Sequence, residues 1–284
     1  MRTRSIVIGA IALGFTVLVP VPVVQAAPTC TRARLKHGLL PDLQTVVPKH
    51  LQIHNEIQTA GHREFLRFTN GISNRGAGDW RMRPEPPPGT ASMTNAVQEI
   101  LDAPATGNLV CEKVVSTFEF HPEHNHWHIG DVALFEVRVA QVGDDGTLGF
   151  WGATLKNDQG QAQSIKVTFC LIDWYKLDDN APRTERIYWD CATSFQGISP
   201  GWVDQYHQAL EGQEIDITGA PPGVYYLVST ANPDGNFLEA NLRNNMAWVS
   251  FRLTRDTQGN PTITEIAHSP CDTPGMCGEQ ATNR

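Results

Sequence analysis

Apolar and polar residues alternate in steps of two along much of this chain. Successive side chains on an extended strand point to opposite faces, so such spacing predicts strands with one buried face. Ile165, Val167, Phe169 and Leu171 form one apolar row, with Lys166, Thr168 and Cys170 opposite. Ala247, Val249, Phe251 and Leu253 repeat the pattern against Trp248, Ser250, Arg252 and Thr254. Residues 223–230 form a Tyr- and Val-rich strand after a Pro-Pro-Gly turn, and residues 64–68 a short one closed by Asn74 and Gly76. Asn244-Asn245 follows a loop and opens what reads as the last strand. One stretch has helical spacing instead: Thr94 or Asn95 caps a turn that buries Val97, Ile100 and Leu101. The Pro-rich residues 83–89 read as a loop. No internal repeat, charge block or long linker interrupts the pattern. The expected fold is mainly β: a single β-sandwich-like domain over residues 27–284, with long loops and little helix.

Residues 1–26 read as an export signal. Met1-Arg2-Thr3-Arg4 is positive, residues 6–19 are apolar, and Val24-Gln25-Ala26 ends in a small residue suited to cleavage. Pro20 and Pro22 close the run short of the ~20 residues a bilayer requires. No later stretch is apolar enough to span a membrane, so the mature chain is expected to be secreted and extracellular. Six cysteines follow the cleavage site, none in a CxxC pair, and an oxidising compartment favours disulfides. Sequence order suggests Cys30–Cys111, Cys170–Cys191 and Cys271–Cys277, one of fifteen pairings. Loss of Arg2 and Arg4 leaves 20 of the 22 basic residues against 30 acidic ones. That balance disfavours nucleic acid as a partner and either steers cationic substrates or serves solubility alone.

The chemistry concentrates in His121-Pro-Glu-His124-Asn-His126-Trp-His128, four of the ten histidines. On a strand His124, His126 and His128 share a face, an arrangement that suits a cation between neutral imidazoles. Copper, zinc, iron and nickel all accept such ligands. Paired cysteines leave no thiolates, which tilts the choice to copper or zinc, with a fourth position open for water or substrate. The cupin pattern fits poorly, because Glu136 lies too far beyond His128.

Beyond the histidines, a series of segments resembles the catalytic domain of the lysyl oxidases, copper amine oxidases that carry a lysine tyrosylquinone. The similarity runs through Lys166-Val-Thr-Phe-Cys-Leu-Ile-Asp173, Gln196-Gly-Ile-Ser-Pro-Gly201, Asp204-Gln-Tyr206-His207 and Ile215-Asp-Ile-Thr218. It continues through Pro222-Gly-Val-Tyr-Tyr226, Asn232-Pro233, Leu238-Glu239 and Asn244-Asn245. Upstream, Leu40-Pro-Asp-Leu43, Leu66-Arg-Phe68 and Asp79-Trp80 also fit, in the family's order.

The resemblance implies copper(II) on His124, His126 and His128, and a quinone cross-linked from Lys166 and Tyr206. Composition alone implies neither role for Lys166 or Tyr206. The implied reaction converts a primary amine, peptidyl lysine or a small amine, with O2 to aldehyde, ammonia and hydrogen peroxide. Asp204 fits the family's Asp-x-Tyr, as catalytic base or as an orienting group, and His121 matches a histidine beside the ligands. The resemblance also implies calcium on Asp42, the Leu43 carbonyl, Glu239, Asn241, Asn244 and Asn245, where Asn241 stands in place of the usual acid. Departures are visible: Glu123 replaces a cysteine before the first ligand, and Trp202 and Gly212 replace cysteines that flank the quinone tyrosine. Two rivals share the same histidines: a non-quinone zinc hydrolase, and a copper-binding protein of this fold without turnover.

Overall fold

The computed structural model describes residues 27–58, 61–122, 125–142, 148–157, 159–191 and 194–278. The expected signal, residues 1–26, and the expected ligand His124 lie outside the described residues. Helix is confined, among the described residues, to α1 (Arg32–Leu35) and a 3-10 turn at Pro274–Cys277. The strands begin with β1 (Leu43–Thr45), β2 (Lys49–Gln58), β3 (Gly61–Asn74), β4 (Trp80–Glu85) and β5 (Met93–Leu101). They continue with β6 (Leu109–His121), β7 (His126–Val142), β8 (Leu148–Thr154), β9 (Ser164–Phe169), β10 (Tyr175–Lys176) and β11 (Gln196–Ile198). The last are β12 (Trp202–Tyr206), β13 (Glu214–Asp216), β14 (Gly223–Ala231), β15 (Met246–Arg255) and β16 (Pro261–His268).

Two antiparallel sheets result. The larger runs β11-β4-β5-β6-β7-β14-β15-β16, with β8 and β9 also on β7; the smaller runs β1-β3-β12-β10, with β2 and β13 also on β3. Strand β7 organises the larger sheet. One edge meets β6 and then β14, while the other meets β9 and then β8. The core fills the space between the sheets: Leu66, Phe68 and Ile72 from β3 pack with Phe135 and Val137 from β7, Leu227 from β14 and Phe251 from β15. Phe68 and Phe135 meet edge to face, 4.8 Å between centroids, and tie the two layers together.

The mainly β architecture with little helix agrees with the sequence pattern, and all three expected disulfides form. The helical turn expected at residues 94–101 is instead strand β5, paired on both edges. Bulges between Ala96 and Val97 and between Ile100 and Leu101 break its alternation, which is why apolar spacing there mimics a helix. Part of the expected loop at residues 83–89 is also strand. β11 covers only Trp80–Met82 of β4, so Pro84 sits on a free edge where its missing N–H costs nothing. Arg81 and Arg83 then reach across to Glu99, each at 2.9 Å. The short strand at 64–68 is the middle of the longer β3, and the strand after Asn245 is followed by β16.

Candidate active site

Strand β7 carries two of the histidines. His126 and His128 alternate with Trp127, so their rings project from one face while the indole turns into the core and stacks on Phe118. The Trp127 carbonyl accepts from Gln196 Nε2 at 2.8 Å, which pins the strand. Nε2 of His126 and Nε2 of His128 lie 2.8 Å apart. Two metal–nitrogen bonds of ~2.0 Å at a right angle would set the same separation, ~2.8 Å. His128 is buried, and its Nδ1 pairs with the Thr168 hydroxyl at 2.9 Å, which orients Nε2 toward His126. His121, opposite His126 on β6, stacks on His128 at 4.1 Å between centroids and lies 3.4 Å from the same hydroxyl. This nitrogen-only, convergent donor set fits copper or zinc.

Lys166 and Thr168 share a face of β9, so the strand that orients His128 also presents the lysine to the same side. Tyr206 arrives from the other sheet, at the end of β12, opposite Asn70 on β3. Gly71 permits this close pairing: a Cβ there would run into the Asp204 carbonyl. The Tyr206 ring stacks on Phe169 at 4.2 Å, and its hydroxyl accepts from the Cys170 amide at 2.7 Å. Burial, then the neighbouring Asp204 carboxylate, pushes the phenol well above its usual pKa.

One cavity of about 330 Å³ is lined by His121, His128, Lys166, Thr168 and Tyr206. The fold therefore gathers the lysine, the tyrosine and the histidine strand around one space. The lysine amine, however, is engaged elsewhere: Nζ lies 2.7 Å from Asp234 and 3.8 Å from Asp131. A second, more apolar cavity of about 600 Å³ lies on another side of Tyr206, lined by His126, Trp174, Asp204, His207 and Leu210. Asp204 is fully buried, and neither carboxylate oxygen has a hydrogen-bond partner among the described residues. Burial, then Asp173, raises its pKa well above the ordinary carboxylate range, and the nearby amides of Gln205 and Ile172 offset only part of this.

A second polar cluster joins β1 to the loop before β15. Asn244 Nδ2 donates to both Asp42 oxygens at 3.0 and 3.2 Å. Glu239 accepts from the Leu43 amide at 2.9 Å and from Asn245 Nδ2 at 2.7 Å. The Oδ1 atoms of Asn244 and Asn245 are buried and have no hydrogen-bond partner among the described residues. Buried amide oxygens without donors, on side chains that hydrogen-bond to two carboxylates, fit a hard cation. Asn241 departs from the expected set, since it is exposed and its Oδ1 accepts from the Arg243 amide at 3.1 Å.

Sequence reasoning missed Thr168 as the partner of His128, although its place two residues from Lys166 on an alternating strand was a usable signal. It also missed Asp131 and Asp234, which carry no such signal, and gave no role to His207, although that residue ends the Asp204-Gln-Tyr206-His207 segment.

A two-sheet sandwich with convergent imidazoles on its central strand, and an amine and a phenol at the same cavity, defines a candidate metal centre. The lysyl oxidase family model matches residues 104–260, more than half of the chain. The chain belongs to the lysyl oxidase family. It is similar to lysyl oxidase homolog 1 of Homo sapiens, 29% identical over 139 residues, covering 49% of this chain and 21% of that protein. It is also similar to lysyl oxidase homolog 3 of Homo sapiens, 27% identical over 186 residues, covering 65% of this chain and 18% of that protein. Protein-lysine 6-oxidase of Sus scrofa is 26% identical over 200 residues, covering 70% of this chain and 61% of that protein. The chain thus spans less than two thirds of each of these relatives.

Proposed function

We propose that residues 27–284 form a single secreted lysyl oxidase-type domain, a copper-dependent amine oxidase. It converts a primary amine, O2 and water to aldehyde, ammonia and hydrogen peroxide. The observation that carries this reading is the shared cavity of His128, Lys166 and Tyr206. His126 and His128, with His124, would hold copper(II), and Thr168 orients His128 from behind. Bound copper supplies the redox chemistry by which dioxygen oxidises the Tyr206 ring. The lysine tyrosylquinone of Lys166 and Tyr206 supplies an electrophilic carbonyl and an electron sink.

The chain's own residues do the rest. The Phe169 stack and the Cys170 amide fix the Tyr206 ring. Trp174 and Leu210 give this second cavity an apolar wall for the substrate's carbon chain. Asp204 takes the proton from the substrate's Cα at a carboxylate oxygen. Burial makes the carboxylate more basic, which suits that task once it is ionised. Asp42, Leu43, Glu239, Asn244 and Asn245, with Asn241 alongside, hold calcium as a brace between β1 and β15. The partnerless Asn244 and Asn245 oxygens support this. Secretion is supported by the three disulfides and by the amino-terminal signal pattern.

Peptide mass spectrometry of protein loaded with copper under air tests the reading. A Lys166–Tyr206 linked peptide, together with peroxide release on adding a primary amine, is the expected result. Two unlinked peptides after full loading overturn it, and amine-independent hydrolase activity with zinc would favour the rival metalloenzyme.

A further inference from the structure

Strand β7 does not run straight past Lys166. Its pairing with β9 jumps from Ile129 opposite Phe169 to Ala133 opposite Val167, so β7 spends extra residues over the same span. The bulge contains Gly130, where a Cβ would strike the Thr117 hydroxyl, and Asp131, whose φ of 52° is left-handed. Bulges re-aim side chains, and a non-glycine residue held left-handed is a local strain that its surroundings must stabilise. Here the re-aimed side chain is the Asp131 carboxylate, 3.8 Å from Lys166 Nζ. From the opposite edge, the Asn232 amide donates to the Val132 carbonyl at 3.0 Å, which docks the loop after β14 beside the bulge. That loop delivers Asp234, whose Oδ2 lies 2.7 Å from the same Nζ.

We propose that Asp131 and Asp234 form an ammonium clamp that holds Lys166 back from the Tyr206 ring and so gates maturation of the cross-link. The inference rests on the oxidase reading and adds a regulatory pair to it. Joining the amine to the ring requires a neutral Nζ, which replaces ring hydrogen with a C–N bond. The net change consumes two dioxygen molecules and releases one water and one hydrogen peroxide, leaving one hydrogen on Nζ. An ammonium held by two carboxylates has no lone pair to offer, and the Asp234 hydrogen bond, with Asp131 behind it, raises the lysine's pKa. The other titratable groups lining the cavity are His121 and His128 from β6 and β7, Tyr206 from β12, and Glu211 from the loop after it. The clamp sits at the solvent edge, with Lys166 itself 45% exposed, so the reach of the lysine depends on release of the pair.

Two readouts on one set of proteins test the clamp: wild type, Asp131→Asn, Asp234→Asn, the double variant and Asp234→Glu. Asparagine tolerates the left-handed position, so Asp131→Asn keeps the bulge. First, metal-free protein is acylated with an amine-reactive ester across pH, and Lys166 modification is quantified by peptide mass spectrometry. The double variant is expected to react roughly fivefold faster at neutral pH, with its pH profile shifted down, and Asp234→Glu to track wild type. Second, the Lys166–Tyr206 linked peptide is timed after adding copper under air, and the double variant is expected to mature faster by a similar factor. Unchanged acylation rates and pH profile in the double variant overturn the clamp. Faster acylation without faster linkage overturns its gating role. Absence of the linked peptide from every protein, wild type included, defeats the oxidase reading and this inference with it, whereas a linked wild type with no effect of the variants defeats this inference alone.

Discussion

The Thr168 hydroxyl lies 2.9 Å from Nδ1 of His128, on the strand that also carries Lys166. The partner of a ligand histidine sets which ring nitrogen keeps its lone pair, and its loss typically costs 10- to 100-fold in metal affinity. Thr168→Val is therefore expected to weaken copper binding by roughly tenfold, while Thr168→Ser keeps most of it. Competition titration against a chelator of known affinity measures both. Equal affinities for wild type and Thr168→Val would show that the hydroxyl does not orient His128.

Tyr206→Phe separates the ring's chemistry from its packing. Phe keeps the stack on Phe169 but strands the Cys170 amide that now donates to the phenol at 2.7 Å. Stability should fall by about 1 kcal/mol, read from the urea midpoint, and copper binding should persist. Quinone absorbance should vanish entirely. A Phe variant that still developed the chromophore would remove Tyr206 from the cofactor.

How much of this was legible in the sequence depended on local order. Strands β9 and β15 alternate cleanly, and both were readable as strands with a buried face. Strand β5 was not, because its two bulges move the apolar residues out of register, and pairing on both edges overrides the local pattern. The histidine strand announced itself by spacing, since His126 and His128 converge through simple alternation. Lys166 and Tyr206 became candidates only through family resemblance. What joins them is a meeting of two sheets, with β9 on β7 and β12 on β3, and no short window of sequence encodes that. The acid pair around Lys166 was illegible for the same reason: a bulge aims Asp131, and a backbone bond from Asn232 to Val132 docks the loop bearing Asp234.

Asp204 ties stability to pH in a known direction. Burial raises its pKa in the folded state above the unfolded value of about 3.9. The folded protein then holds a proton that the unfolded chain releases, so stability falls as pH rises above that value and recovers as pH falls back. Asp204→Asn removes the penalty. In metal-free protein the variant should match wild type near pH 4 and exceed it by about 1 kcal/mol or more at pH 7. With copper and quinone in place, the same change should lower kcat by roughly 100-fold or more, if the carboxylate accepts the Cα proton. Thermal melts across pH check the first statement and steady-state peroxide release the second. A stability gap that shrinks with rising pH would contradict the burial argument, and an unimpaired kcat would reassign the base.

The corner formed by Asp42, Glu239, Asn244 and Asn245 is expected to bind calcium and to brace the fold. Two carboxylates and two amides meet there, and the Asn244 and Asn245 oxygens find no donor among the described residues. Burial raises the Glu239 pKa, the signature of a carboxylate whose charge the surrounding hydrogen bonds do not fully offset. A divalent cation supplies that charge, and binding to the folded state alone stabilises it by about 2.7 kcal/mol at a hundredfold excess over Kd. Adding calcium to chelator-treated protein should therefore raise Tm in a concentration-dependent way, and magnesium should do so less, because it demands a tighter six-oxygen shell. Asp42→Ala should abolish the calcium increment while leaving the histidine site able to bind copper. Exposed Asn241 contributes little, so Asn241→Ala should leave the increment nearly intact, and Asn241→Asp should enlarge it by adding charge at the rim. A Tm that ignores calcium in wild type would instead make the corner a hydrogen-bonded staple.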